Sequence, residues 1–141
     1  MFDLNAIATD TKKEIEGVWY DVGDGLQLKV ARMNNPQYVK RLNEVSAPYR
    51  AQVKAGTLSD EKKAELAAGV MAETILLDWR GMFLGGKPLP YSRKKAAEIL
   101  ADPRYQAVFS LVMSFAQDEA AFRIEEVKTE LGEFSTITGG S

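Results

Sequence analysis

The segment Asp21-Val22-Gly23-Asp24-Gly25 is the part of this sequence that comes closest to a metal-binding loop. Alternate acidic residues beside glycine are what oxygen-ligand loops use to hold calcium. The segment lacks the further oxygen ligands and the distal bidentate glutamate that such a loop requires. Asp-Gly is instead the expected chemistry of a two-residue turn between strands. The segment therefore predicts a hairpin turn, and we expect no metal.

Two pairs of adjacent carboxylates, Asp118-Glu119 and Glu125-Glu126, have the residue types needed for acid/base chemistry. That chemistry requires a desolvated pocket that moves two pKa values apart. Adjacent residues on an exposed helix point in different directions, so both pairs are expected on a solvated face. The sequence contains no histidine and no cysteine, which removes the commonest general base, the commonest transition-metal ligand and the thiol nucleophile. We therefore expect neither an enzyme nor a cofactor.

Positive charge is densest between Lys87 and Lys95, and Tyr91 within this stretch has a ring that could stack on a base. Against nucleic-acid binding, twenty acidic and eighteen basic residues give a formal net charge of -2, which offers no overall attraction to a polyanion. Gly85-Gly86 before Lys87 is not a phosphate loop, because the glycine-lysine-hydroxyl pattern is missing. We therefore expect a solubilising helix face and no nucleic-acid partner. The cluster consists of Lys87, Arg93, Lys94 and Lys95.

Large apolar residues form the last group with a candidate function. Those that recur at helical spacing are expected in the core. The three that follow closely after Trp79 lie in a glycine- and proline-rich loop, and such loops usually run over the surface. An exposed apolar patch of this kind is typical of a protein–protein contact. The predicted partner-binding residues are Trp79, Met82, Phe83, Leu84, Tyr91 and Phe122.

The elements that must position these residues begin with a strand pair. Residues from Glu16 to Met33 contain two β-favouring runs around Gly23-Asp24-Gly25, which predicts a hairpin. Leu26, Leu28 and Val30 alternate with polar residues, so one face of the hairpin is expected to be buried. A lone hairpin is marginal in water, and helices from later in the chain must therefore cover that face.

Helices are predicted for much of the middle of the chain. Pro36 suits the first position of a helix, because its missing N–H has no partner there in any case. Pro48 then interrupts or kinks this segment. Ser59 is a capping residue for a second helix, which the apolar spacing carries on to Trp79.

The remaining elements follow a break in regular structure. Gly81 to Pro90 combines glycines and prolines, and it predicts a structured loop or a short hairpin. Ser92 caps a short helix after it, and Asp102-Pro103 is a further start signal. From Arg104 to Leu131 there is neither proline nor glycine, and the apolar spacing predicts one long helix.

Together these elements predict one α+β domain that is predominantly α, with the N-terminal β-hairpin packed on a bundle of about four helices, the last one long. The domain is expected over residues 1–134, with a flexible tail over residues 135–141. The amino terminus lacks the cationic start and long apolar run of a signal peptide. No stretch approaches the roughly 20 apolar residues of a membrane span. We therefore expect a cytoplasmic protein with no membrane partner.

Short motifs occur along the chain in a particular order. Ala31-Arg32 and Asn34-Asn35-Pro36 follow the predicted hairpin, Leu76 to Trp79 ends the second helix, and Gly86 to Ser92 reads GKPLPYS. In this order they resemble the tail assembly chaperones of phages with long flexible tails, over nearly the whole chain from about Phe2 to Phe134. Relatives often carry an acidic insertion before the Gly-Lys pair, where this chain is apolar.

The resemblance implies a non-enzymatic role in virion assembly, in the cytoplasm of the bacterial host. Such chaperones keep the long helical tape measure protein soluble and help to recruit tail tube subunits. They are commonly made also as a longer frameshifted product, whose C-terminal extension contacts the tail tube protein, and they are generally absent from the mature virion. The implied partners are therefore the tape measure protein and the tail tube protein. A homo-oligomer is compatible with this role.

Two other functions stay open from the sequence alone. One is a structural head or tail component that is retained in the virion, and purified particles would contain it. The other is a small DNA-binding regulator that uses the basic helix after Pro90. Such a regulator would shift DNA in a gel in a salt-dependent manner.

Overall fold

A computed structural model describes residues 1–124, which form a three-stranded antiparallel sheet covered by helices. The sheet has the order β1-β2-β3, and a second, two-stranded sheet pairs β4 with β5. The strands are β1 (Val18–Gly23), β2 (Leu26–Val30), β3 (Leu76–Arg80), β4 (Phe83–Leu84) and β5 (Lys87–Pro88).

Helices make up most of the remaining described chain. The α-helices are α1 (Thr11–Glu16), α2 (Pro36–Ser46), α3 (Arg50–Ala55), α4 (Asp60–Thr74), α5 (Arg93–Ala101) and α6 (Gln106–Ala116). Short 3₁₀ helices lie at Leu4–Ile7, Ala47–Tyr49, Pro103–Tyr105 and Glu119–Phe122. The predicted α+β class, with an N-terminal hairpin and several helices, is confirmed. No helix among residues 1–124 is long and apolar enough to cross a membrane.

The β1–β2 turn is the one that Asp24-Gly25 predicted. Both residues have positive φ, 56° for Asp24 and 80° for Gly25, as a two-residue hairpin turn requires. The Asp21 carboxylate accepts a hydrogen bond from the Gly23 N–H at 3.0 Å, so it supports the turn. The prediction of a hairpin turn is confirmed.

Side-chain caps account for the starts of α2, α4 and α5. Asn35 accepts hydrogen bonds from two backbone N–H groups at the start of α2, whose first residue is Pro36. The hydroxyls of Ser59 and Ser92 each accept one such hydrogen bond, at 3.1 Å at the start of α4 and at 3.0 Å at the start of α5. Pro48 lies in the 3₁₀ helix between α2 and α3, so the predicted interruption is confirmed.

The prediction that the second helix runs on to Trp79 is wrong. Helix α4 ends at Thr74, and residues Leu76–Arg80 form β3 instead. In this register Trp79 lies opposite Leu28 and Leu76 opposite Val30. The apolar run therefore completes the sheet, because strand pairing buries it against residues nearly fifty positions earlier in the sequence.

The prediction of one long helix from Arg104 to Leu131 is also wrong for residues 104–124, which are the part of this segment that the structure describes. Helix α6 ends at Ala116 and a 3₁₀ helix follows at Glu119–Phe122. The chain then pairs with the amino terminus: the Asp10 N–H donates to the Phe122 carbonyl at 2.7 Å, and Thr9 forms a bridge with Arg123. The rest of the predicted helix, the end of the predicted domain at residue 134 and the predicted tail over residues 135–141 lie outside the described residues.

The core lies between the inner face of the sheet and helices α4, α5 and α6. Tyr20, Leu28 and Trp79 share that face, since Leu28 pairs with the other two. The Tyr20 ring stacks on Phe115 of α6 with ring centroids 4.3 Å apart, and its hydroxyl donates to the Phe115 carbonyl at 3.1 Å. Helix α6 is therefore fixed to β1 by both packing and a hydrogen bond.

Candidate partner-binding surface

The hairpin formed by β4 and β5 leaves the main sheet at Gly81. A Cβ at this position would lie 2.1 Å from the carbonyl oxygen of Gly25, in the turn between β1 and β2. Gly81 also has a φ of 74°, a conformation that favours glycine. The two backbones can approach this closely only because Gly81 has no side chain, and the approach fixes the base of the hairpin against the sheet.

Hydrogen bonds hold the base of the same hairpin on the side of its second strand. The Leu89 N–H donates to the Met82 carbonyl at 2.8 Å, and the Trp79 indole N–H donates to the Leu89 carbonyl at 2.8 Å. Tyr91 packs edge-on against Trp79, with ring centroids 4.9 Å apart. The hairpin is therefore anchored at its base, where both of its strands join the rest of the chain.

Tyr91 has a structural role in this anchor. Its hydroxyl donates to the carbonyl of Leu76 at 2.8 Å and lies 3.3 Å from that of Ala72. Burial raises the pKa of the Tyr91 phenol above its ordinary value, although the guanidinium of Arg93 acts in the opposite direction. The residue therefore stays neutral and ties the segment after β5 to the junction of α4 and β3.

The tip of the hairpin is a two-residue glycine turn. Gly85 and Gly86 have φ values of 59° and 80°, and positive values at both positions match the twist of the flanking strands. This places Leu84 directly opposite Lys87 and Phe83 opposite Pro88. The prediction of a structured loop or short hairpin in this region is confirmed.

Two large apolar side chains are exposed on this anchored hairpin. Phe83 is 62% exposed and Leu84 is 52% exposed, whereas Met82 beside them is partly buried. An exposed apolar pair on a flexible loop can fold away from water, but the anchors described above keep this pair in place. The pair forms what we call the hairpin patch, Phe83 and Leu84.

A groove separates the hairpin patch from α5 and the 3₁₀ helix that follows it. It has a volume of about 160 Å³. Its apolar lining consists of Phe83, Leu84, Leu89, Ile99 and Tyr105. The patch is therefore one wall of a concave apolar site.

Charged residues also line this groove, and they pair with one another. Lys95 and Glu98 form an ion pair at 3.1 Å, and Arg104 and Asp102 form another at 2.8 Å. Hydrogen bonds from Arg104 lower the pKa of the Asp102 carboxyl from its ordinary value, so Asp102 is a carboxylate at neutral pH. Neither pair leaves a charge free to point into the groove.

The predicted partner-binding residues separate into two groups. Phe83 and Leu84 lie on the exposed hairpin, with Met82 at its base. Trp79 is 4% exposed and Phe122 is completely buried, so both are core residues that cannot contact a partner without unfolding. The candidate partner-binding surface therefore consists of the hairpin patch and its groove.

Two residues of the groove had no place in the sequence prediction. Ile99 and Tyr105 lie on helical segments, where apolar spacing assigned them to the core, yet each borders the groove. Tyr105 comes two residues after Pro103 in a 3₁₀ turn. That turn redirects the chain at the end of α5, and the Tyr105 ring is partly buried where it borders the groove.

The other chemical candidates are not brought together into a site. Glu119 pairs with Arg32 at 3.1 Å, and Glu125-Glu126 lies outside the described residues. Tyr91 donates its hydroxyl to backbone carbonyls within the fold. Lys95 of the basic cluster pairs with Glu98. Among residues 1–124, no group of three or more acidic side chains is arranged to hold a metal ion.

These features define a small α+β domain with an anchored apolar hairpin beside a groove. Residues 33–133 match the family model of the YdaY prophage protein, and the chain belongs to that family. It is therefore a phage-derived protein. The matched range includes the hairpin patch and every residue that lines the groove. No curated protein and no solved structure was found to match the chain.

Proposed function

We propose that this protein is a phage tail assembly chaperone without enzymatic activity. In this role it binds the tape measure protein, keeps it soluble and helps to recruit tail tube subunits. It acts in the cytoplasm of the bacterial host and is absent from the mature virion. Membership of a prophage protein family and the order of motifs along the chain support this proposal.

The observation that carries the proposal is the hairpin patch beside its groove. A tape measure protein is long and helical, and its amphipathic helices have apolar faces that must be covered until the tail tube forms around it. A rigid apolar wall next to a concave site suits a helix that lays its apolar face in a groove. Phe83 and Leu84 together supply exposed apolar surface, and removing such surface from water favours association.

The tail tube protein is the second proposed partner. As in the family that the motif order resembles, a longer frameshifted product would contact it through a C-terminal extension.

Co-expression tests the proposal. The gene is expressed together with the tape measure gene of the same prophage, and the fraction of the tape measure protein that stays in the supernatant is measured. We expect most of it to stay soluble with the wild-type chain and to precipitate without it. The proposal is wrong if the two proteins do not associate, or if purified virions contain this chain in stoichiometric amounts.

A further inference from the structure

Within residues 1–124, the charged side chains that line the groove pair with one another. Lys95 pairs with Glu98 and Arg104 pairs with Asp102, so the four charges are neutralised in two ion pairs. The ammonium of Lys87, which is outside the groove lining, makes no ion pair or hydrogen bond within the described residues. Lys87 therefore supplies a positive charge that a partner can meet.

Lys87 stands on the same side of the hairpin as the groove wall. It lies directly opposite Leu84 in the β4–β5 pair. Directly opposed residues of an antiparallel pair put their Cβ atoms about 5 Å apart on one face. Because Leu84 lines the groove, the Lys87 stem begins at the groove's edge and its ammonium can reach a group bound there.

The size and lining of the groove suit an apolar side chain. An apolar cavity of about 150 Å³ accommodates a benzene-sized group. The groove here measures about 160 Å³, which is enough for one leucine or phenylalanine side chain. The charged residues of its lining are already paired with one another. A large apolar side chain is therefore the occupant that the groove fits best.

We infer that this site recognises a helical segment carrying one large apolar residue and, about one turn away, a carboxylate. The apolar side chain enters the groove, and the carboxylate meets Lys87. One helical turn spans about 5.4 Å, which is within reach of the lysine side chain from the groove's edge. The inference rests on the proposed function and specifies which helices of the tape measure protein are held.

Peptide binding tests the inference. Overlapping peptides of about 20 residues, each ~30 Å long as a helix, are made to cover the tape measure protein of the same prophage. Their affinities for the purified chain are measured by fluorescence anisotropy. We expect the tightest peptides to share a leucine or phenylalanine with an aspartate or glutamate three or four positions away.

A charge reversal at Lys87 then tests whether this lysine is the cation that meets the carboxylate of the peptide. Lys87→Glu is expected to weaken these peptides about two- to fivefold, the range of an exposed ion pair. A peptide whose acidic residue is changed to lysine should recover the loss with this variant. Lys54→Glu is the matched control, because Lys54 is exposed on α3, away from the groove lining, and should leave the affinities unchanged.

The outcomes separate this inference from the proposed function. If the tape measure protein binds but Lys87→Glu and wild type do not differ, or if peptides with lysine in place of the acid bind equally well, the inference is wrong and the chaperone role stands. Binding of the full-length tape measure protein without binding of any of its peptides also overturns the inference. If neither the full-length protein nor any peptide binds, the proposed function fails and the inference fails with it.

Discussion

Gly81 and Gly25 lie in backbone contact, and a Cβ at position 81 would stand 2.1 Å from the Gly25 carbonyl oxygen. The contact joins the β4–β5 hairpin to the β1–β2 turn. It is the reason that the exposed Phe83 follows the sheet without a flexible linker. The position of the hairpin patch therefore depends on the absence of a side chain at Gly81.

Replacing Gly81 with alanine should destabilise the protein. The new Cβ must displace backbone, and φ at this position is 74°, so the clash and the strained conformation add to each other. We expect Gly81→Ala to lower the free energy of unfolding by more than about 2 kcal/mol. Urea denaturation followed by circular dichroism measures this change.

Gly69→Ala is the matched control for that variant. Gly69 lies inside α4, and nothing is within 4 Å of the Cβ that alanine would add. Because alanine is the better helix former, this change should raise stability by about 0.5–1 kcal/mol. Equal stability of Gly81→Ala and wild type would show that the hairpin is not fixed in the way described.

The ionisation of Tyr20 makes the free energy of unfolding depend on pH in the alkaline range. Burial is the main cause that raises the pKa of its phenol from 10.0 to about 12, and the charge of Asp118 adds to the effect. In the unfolded chain the phenol loses its proton near pH 10, whereas the folded protein retains it, so the unfolded state binds fewer protons. The stabilisation from the neutral phenol is therefore complete below pH 10 and is lost as pH rises towards about 12.

Tyr20→Phe tests this dependence. Phenylalanine keeps the stack on Phe115 but has no proton to lose. We expect the urea midpoint of the variant to fall less steeply between pH 10 and 12 than that of the wild type, and the two curves to run parallel below pH 9. Identical slopes for both proteins across the alkaline range would contradict the assignment.

Arg32 joins three separate parts of the chain. Its guanidinium pairs with Glu14 at 3.0 Å and with Glu119 at 3.1 Å, and it donates to Thr9 at 3.4 Å. Arg32→Ala would leave the largely buried Glu14 carboxylate without its cation. We expect a loss of about 1–3 kcal/mol and faster hydrogen exchange in residues 1–10, read by mass spectrometry.

Arg50→Ala is the control for the Arg32 variant. Arg50 is exposed on α3 and forms no ion pair within the described residues. Its replacement should change neither stability nor exchange at the amino terminus. Unchanged hydrogen exchange in the Arg32 variant would mean that the strand-like pairing of Thr9 with Arg123 holds the amino terminus without the ion pairs of Arg32.

The local parts of the fold could be predicted from the sequence, because local chemistry determines them. Asp24-Gly25 specifies its turn through positive φ, and Ser59 and Ser92 specify helix starts through their hydroxyls. The third strand could not be predicted. The register shifts between Lys29 and Val30, and this irregularity hides the alternation of buried residues in Leu76–Arg80. A short apolar run of this kind fits a helix or a strand equally well.

The end of α6 could not be predicted either, and the reason is different. Nothing between Arg104 and Leu131 breaks a helix locally. The chain turns after Ala116 because Phe122 is buried in the fold and the residues around it pair with residues 8–10. Such pairing joins the two ends of the described chain, and no local pattern reports it.

The candidate site could be predicted in part. The glycine- and proline-rich composition of Gly81 to Pro90 indicated surface exposure, and Phe83 and Leu84 are exposed as that composition suggests. Trp79 was included because of its size and position, but its indole N–H is used inside the fold. The groove itself could not be predicted, since it forms only where α5 packs beside the hairpin.

We propose that the hairpin patch binds the tape measure protein. The most direct test is the affinity of the Phe83→Ser/Leu84→Ser variant for the tape measure protein. Both side chains are more than half exposed, so the double variant should unfold at the wild-type temperature. Val39→Ser/Val53→Ser is the matched control, since these valines are 44% and 52% exposed and lie on α2 and α3. Measured by titration calorimetry, affinity should fall at least about tenfold for the hairpin variant and stay unchanged for the control. Wild-type affinity in a correctly folded hairpin variant would contradict the account.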